Sequence, residues 1–317
     1  MTEVFTFGEA MLRLSVSPGH TLETAPAYAV HVAGTEANVA ATLSRLDREV
    51  SWVSALPEGP LGRRVLAELQ ACGVDCSGVV VRPEGRIGTY FVELHAEPLA
   101  ARVIYDRAGS AAAGFTLGDV PWELFESAQI IHMTGITPAL SASCREVVLD
   151  MAERARRDGK FLSVDVNYRS KLWGTEEASR VISEVMRSAD LVVCTGEDAS
   201  DLFGISLDPP DVARELADRH AIARVVVTSG VGGAWWCHDG NAGHVSAISV
   251  SVVDRIGAGD AFMAGVLDGI LDGDLGLGVR RGNALAALAL TTRGDRAVAS
   301  RAEVDSMLTG AARRVDR

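Results

Sequence analysis

Asp254-Arg255-Ile256-Gly257-Ala258-Gly259-Asp260-Ala261-Phe262-Met263-Ala264-Gly265 is the stretch on which the reading of this chain turns. It follows an apolar, β-prone run, Ala247 to Val253, and opens a segment with helical spacing at Phe262, Val266 and Ile270. Two glycines around a small alanine let the backbone pass close to a ligand and present successive N–H groups. At a helix N-terminus such groups favour an anion. Asp260 then places a carboxylate where negative charge already gathers, an awkward position unless it accepts a proton from a nucleophile. A tight turn with Asp260 as an ordinary N-cap uses the same residues, so this segment alone leaves both readings open.

The rest of the chain narrows the choice. Its 317 residues are 48% apolar, enough for a large core, and its formal net charge is −12. That balance argues against a nucleic-acid or anionic-membrane surface, so an anionic substrate must be caught by local arginines. Five cysteines, an odd number with no C-x-x-C pair, give neither a disulfide framework nor zinc spacing and point to a reducing cytoplasm. The seven histidines are scattered. Met1 to Ala10 lacks the basic and apolar regions of a signal peptide, and no run is long enough to span a bilayer.

In chain order, Val4 to Phe7 reads as a first strand ended by Gly8-Glu9. Short β-prone pieces at 12–16 and 28–32 are separated by Pro18-Gly19 and Pro26. Ala33-Gly34-Thr35-Glu36-Ala37-Asn38 leads into a helix carrying Val39, Ala40, Leu43 and Leu46 on one face, Ser51 to Ala55 reads as a strand, and Gly62 to Cys72 as an amphipathic helix. From Val79 to Tyr105 the pattern is short alternating strands. The pieces at 12–16, 28–32, 89–94 and 102–105 are expected to form a small separate sheet, a lid built from discontinuous segments at about 12–33 and 79–108 of one α/β domain spanning 1–317.

After Gly118 strands at 129–133, 161–166, 191–193 and 224–228 alternate with helices at 141–157, 176–188 and 209–220. This rhythm predicts a mostly parallel sheet with helices on both faces, an α/β/α sandwich. Ligands in such folds bind outside the carboxyl ends of the strands. Gly135, Asn167-Tyr168-Arg169, Thr228-Ser229-Gly230 and the Gly-Ala-Gly-Asp turn all fall just past strand ends, which makes that turn a site rather than a cap.

The chemistry that suits these parts is phosphoryl transfer to a hydroxyl. Gly257, Ala258 and Gly259 supply N–H groups for the moving phosphoryl, and Asp260 can take the hydroxyl proton. No G-x-x-x-x-G-K-[ST] loop occurs, so this is not a P-loop enzyme. A second glycine turn, Gly230-Val231-Gly232-Gly233, either approaches a nucleotide or simply closes a hairpin before Ala234-Trp235-Trp236. Arg107 and Arg169 each follow a strand; arginine forks suit carboxylates or phosphates, although single solvated arginines are common. Tyr90 and Tyr105 either close over a ligand or pack within the lid, and Asn38 either meets a sugar hydroxyl or caps local backbone.

The Gly-Ala-Gly-Asp segment and the segment at 33–38 resemble the two signature regions of the ribokinase-like (PfkB) carbohydrate kinases, with matching order and spacing over essentially the whole chain. Within that family, His132 to Leu140, Val164 to Trp173 and Val103 to Ala111 are similar to stretches of 2-keto-3-deoxygluconate kinases. The resemblance implies ATP-dependent phosphorylation of the primary hydroxyl of a sugar acid, 2-keto-3-deoxygluconate first, with Asp260 as base and the 257–260 turn holding the phosphoryl group. Gly34, Asn38, Tyr90, Tyr105, Arg107 and Arg169 would surround the substrate, the arginines nearest its carboxylate. Asn167, Thr228, Gly230, Gly233 and Asn283 would line the nucleotide site. It also implies Mg2+, leaves room for a monovalent cation, and fits a homodimer or larger homo-oligomer formed through exposed lid edges.

Three departures from the family pattern accompany the match. The N-x-x-E motif that helps hold magnesium falls on Thr195-Gly196-Glu197-Asp198, leaving Glu197 and Asp198 as candidate metal residues or the metal mainly on the nucleotide. Arg255 replaces a common threonine. Asp106 replaces an aromatic and is expected to compete for Arg107. Rival readings are a kinase of a neutral sugar such as ribose or fructose, and a sugar or nucleotide sensor without turnover. A dinucleotide oxidoreductase fits poorly, because no G-x-G-x-x-G follows the first strand.

Overall fold

The computed structural model describes residues 2–17, 19–94 and 101–310; Pro18 and residues 95–100 of the second lid segment lie outside it. Fourteen strands are found among the described residues. They are β1 (Val4–Phe7), β2 (Met11–Ser15), β3 (Ala29–Ala33), β4 (Val50–Val53), β5 (Ala55–Pro57), β6 (Val80–Arg82) and β7 (Gly88–Glu93). There follow β8 (Arg102–Asp106), β9 (Ile130–Thr134), β10 (Phe161–Asp165), β11 (Leu191–Thr195), β12 (Arg224–Thr228), β13 (Ala234–His238) and β14 (Asn241–Val245).

Eight of them form the main sheet in the order β14-β13-β12-β11-β10-β9-β1-β4. From β4 to β12 all neighbours are parallel; β13 and β14 close the edge as antiparallel strands. The parallel strands therefore present their carboxyl ends on one edge. Strand order reverses around β1, since the chain leaves it toward β4 and later returns on its other side to β9. Such a reversal opens a crevice at the strand ends.

Alternation along the strands divides the core. Phe5, Phe7, Ile131, Met133, Leu162 and Val164 point into one apolar layer, with residues of helices Ala142–Arg157 and Thr175–Met186. Val4, Ile130, Leu191 and Val193 point into the other, against helices Thr35–Arg45, Ala258–Leu271 and Leu275–Leu290. The last two pack with backbones almost touching, because a Cβ at Gly265 or Gly269 would run into the main chain of Gly282 or Gly278. No helix among the described residues is long and apolar enough to cross a membrane.

A second sheet, β3-β2-β7-β8, contains the four pieces expected of the lid. Two expectations fail. Residues 79–82 do not join it: β6 pairs in parallel with β5, drawn away by the main-domain segment after β4. Ala247 to Val253 forms no strand either. The run lies largely exposed, and Val253 N–H donates to the Leu290 carbonyl at the end of a helix.

Candidate active site

Gly257 is the N-cap of helix Ala258–Leu271, with φ of 87°. A Cβ there would strike the Asp295 main chain, so part of the glycine requirement comes from the protein's own loop. Gly259 has open space beside it and is exposed, leaving the first-turn N–H groups accessible to an anion.

Asp260 follows in that first turn and is buried. Asn38, from the first turns of helix Thr35–Arg45, donates from Nδ2 to Asp260 Oδ2 at 2.7 Å. Burial pushes the Asp260 carboxyl well above the usual carboxylate range. The Asn38 hydrogen bond and Arg169 oppose that shift, while Asp165 and Asp295 add to it.

Asp165 ends β10 and is also buried, and desolvation pushes it up to about 7 against a 2.8 Å hydrogen bond from Asn167 Nδ2; Asp198 adds to the shift and Arg169 opposes it. Asp198 is raised as well, by burial, despite its place beside the Thr195 cap, whose Oγ1 accepts the Asp198 N–H at 2.9 Å. Arg169, an exposed residue in the loop after β10, favours the ionised form of all three carboxyls. The cleft thus carries more buried acid than local cation. Three buried acceptors here also lack a donor: Asn38 Oδ1, Asn167 Oδ1 and Glu9 Oε1.

Arg107 follows β8, and its partner is not Asp106. Arg107 Nε donates to Glu9 Oε2 at 2.7 Å and its Nη2 also pairs with that carboxylate, whereas Asp106 pairs with Arg86 at 2.8 Å in an exposed ion pair. Adjacent side chains in a strand face opposite ways, which separates 106 from 107. Glu36 lies deeper, fully buried, accepting from Thr134 Oγ1 and Thr137 Oγ1 at 2.6 Å each, and burial raises its carboxyl.

The remaining candidates divide. Tyr105 stacks on Tyr90 with ring centroids 5.5 Å apart and lies beside Arg107. Tyr90 itself is buried with its hydroxyl donated to Asp295, so it offers a substrate no free hydroxyl. A Cβ at Gly34 would meet the Glu9 carbonyl, which makes this glycine a packing requirement beneath the lid. Thr228 Oγ1 donates to the Cys194 carbonyl at 3.4 Å, and Gly230, at φ 51°, has open space around it. Gly233 and Asn283 meet at the end of β14: a Cβ on Gly233 would strike the Val245 carbonyl, and Asn283 Nδ2 donates to that same carbonyl at 3.0 Å. The Asn283 amide donor is thereby committed to the protein backbone.

The pfkB family carbohydrate kinase pattern matches residues 1–302. The chain belongs to that family. It is 36% identical over 316 residues to the 2-dehydro-3-deoxygalactonokinase of Haloferax volcanii, covering 99% of each chain. Among solved structures it is similar to the 2-dehydro-3-deoxygluconokinase of Thermotoga maritima, with a TM-score of 0.92, 31% identity and 98% of each chain covered. It is also similar to a Pyrococcus horikoshii sugar kinase in complex with ATP, with a TM-score of 0.81, 26% identity, and 95% of this chain and 96% of that one covered.

In this kinase, sequence reasoning missed Glu9, Asp165 and Lys171 as parts of the crevice. Glu9 and Asp165 each sit at or just past a strand end, the signal that picked out Arg169. Lys171 Nζ reaches from the main domain to the lid, donating to the Val103 carbonyl at 3.0 Å with Tyr105 beside it at 6.0 Å. No cluster of three or more metal-binding side chains occurs among the described residues. A magnesium ion carried largely by nucleotide phosphates needs only one or two carboxylates. Asp165 and Asp198, near each other and both with raised carboxyls, fit that need; Glu197 is exposed.

Proposed function

We propose that this kinase transfers the γ-phosphoryl group of ATP to the primary hydroxyl of a 2-keto-3-deoxy sugar acid, 2-keto-3-deoxygluconate giving its 6-phosphate. The observation that carries the mechanism is the pairing of a buried Asp260, held by one neutral amide, with the open N–H groups of its own helix. A carboxyl raised by burial is a stronger base once ionised. Asp260 takes the substrate hydroxyl proton as the oxygen attacks phosphorus, while the Gly257–Gly259 backbone stabilises charge on the moving phosphoryl group.

Asn38 Oδ1 and Glu9 Oε1, buried acceptors in want of donors, suit sugar hydroxyls. Arg169 is the first choice for the substrate carboxylate, with Arg107 second because Glu9 already engages its fork. Thr228, Gly230 and Asn167 flank the nucleotide. Mg2+, held by ATP with Asp198 and Asp165, would neutralise phosphate charge. The Haloferax volcanii relative favours a second reading, the galactonate epimer, which differs only at one hydroxyl-bearing carbon. We assign the protein to the cytoplasm and to a homodimer or larger homo-oligomer through β3 and β8, the outer strands of the lid.

A coupled ADP-release assay over both 2-keto-3-deoxy acids, ribose and fructose, with and without K+, tests this reading. The two acids are expected to give kcat/KM at least about tenfold above the neutral sugars, the energy of one charge-assisted contact. Arg169→Ala should raise KM for the acids more than for fructose. A preference for a neutral sugar would overturn the substrate assignment, and calorimetric binding of ATP and acid without product would favour a sensor.

A further inference from the structure

The lid and the catalytic turn are joined by a buried ion cluster that no substrate contact requires. Arg13 lies on lid strand β2 and is 1% exposed. Its Nη2 donates to Asp254 Oδ2 at 2.5 Å, and its Nη1 donates to Asp295. Tyr90, directly opposite Arg13 on β7, donates its hydroxyl to the other Asp295 oxygen. Asp254 begins the catalytic turn and accepts the Ile256 N–H on its second oxygen at 3.1 Å. Asp295 belongs to the loop whose main chain fits against Gly257.

Ile256, inside the turn, packs on the apolar lid cluster of Met11, Ala33, Tyr90 and Val92. On the substrate side the Tyr90 ring stacks on Tyr105, which neighbours Arg107. A continuous set of contacts therefore runs from the lid face that meets substrate to the N-terminus of the helix carrying Asp260.

We propose that Arg13 is a positioning residue for phosphoryl transfer: by bridging Asp254 and Asp295 its guanidinium fixes the 254–260 turn relative to the lid. The planar fork matters because it spans two carboxylates on different loops; an ammonium group is a point charge and cannot hold both in the same geometry. Removing it displaces the N–H groups and Asp260 from the reacting atoms while leaving the binding surfaces in place. Small misplacements of this kind weigh on the chemical step.

This inference rests on the assignment of Asp260 and its turn as the catalytic centre. The test compares Arg13→Lys, Tyr90→Phe and Asp260→Asn in the full chain, with kinetics measured well below the thermal transition of each variant. Arg13→Lys is expected to lower kcat at least about tenfold with KM for ATP and sugar acid within threefold. Tyr90→Phe removes the second donor that orients Asp295 for Arg13 and so loosens that end of the bridge; it is expected to lower kcat about threefold to tenfold and decides the matter should Arg13→Lys not fold. Wild-type kcat in the folded variants, or a rise in KM at unchanged kcat, would overturn the proposal while an inactive Asp260→Asn left the catalytic assignment standing. An active Asp260→Asn would instead remove the catalytic assignment itself.

Discussion

Asp260 and Asp268 lie on one helix about two turns apart, and both are buried, yet their surroundings are opposite. Asp268 is met by Arg48 Nε, Arg281 Nη1 and Arg301 Nη2, each at 2.7 Å. Asp260 receives one neutral amide and faces two further acids, Asp165 and Asp295. A buried charge is tolerated when it is paired and is costly when it is not. The first arrangement ties three segments of the fold together. The second leaves the site short of cation and hydrogen-bond donors, which a nucleotide with its metal and a polyol can supply. Burial alone does not mark function; burial with the partners missing does.

The largest effect that would break this contrast is loss of turnover in Asp260→Asn. Asparagine keeps the size and can still accept from Asn38 Nδ2, so fold and ATP binding should survive. A missing general base costs about 10²–10⁴ in rate, roughly 3–5 kcal/mol of barrier. Turnover near wild type with the variant folded would remove Asp260 from proton transfer.

Asp268→Ala sharpens the other side. It strips the shared carboxylate from three arginines that are 10%, 14% and 28% exposed, of which Arg48 and Arg281 retain Asp272 and Arg301 retains the Leu46 carbonyl. Breaking such a buried set costs about 3 kcal/mol or more. Urea unfolding should show that loss in stability, while kcat per folded molecule stays within about twofold, because the residue lies about 12 Å along the helix from Asp260. Unchanged unfolding would mean the network is decorative.

How much of this contrast can be seen in the sequence follows from the range of each interaction. The alternation from Gln129 to Thr228 is local, and so are the four lid pieces and the Gly-Ala-Gly-Asp turn; each was readable because period and turn chemistry reside within a few residues. Pairing is not local. Arg107 meets Glu9 rather than its neighbour Asp106, Arg13 meets a carboxylate near the far end of the chain, and Asp268 gathers arginines from three segments. Ala247 to Val253 has strand composition but pairs with no strand, so its propensity goes unused. Gly233 and Gly257 were legible as glycines near a ligand, while their close approaches to the protein's own backbone were not.

The smallest of these effects, and the finest test of the contrast, concerns Asp165. Its carboxyl is pushed from 3.8 up to about 7, chiefly by burial. An acid whose folded-state pKa is raised favours folding while protonated, so that contribution is complete below about pH 4 and is lost as pH rises through 7. Asp165→Asn cannot ionise, and its amide oxygen can still accept from Asn167 Nδ2. Relative to wild type the variant should therefore gain stability as pH increases, by about 1.4 kcal/mol per unit across that window and on the order of 2–4 kcal/mol by pH 8. Urea unfolding of both proteins without nucleotide, at pH 5 and pH 8, measures the difference directly. A gap that stays flat between the two pH values would show that Arg169 already compensates this acid, and Asp165 would then belong with Asp268 among the paired charges. A gap that opens with pH and closes again when Mg-ATP is added would place Asp165 with Asp260, as a carboxylate whose missing partner arrives with the ligand.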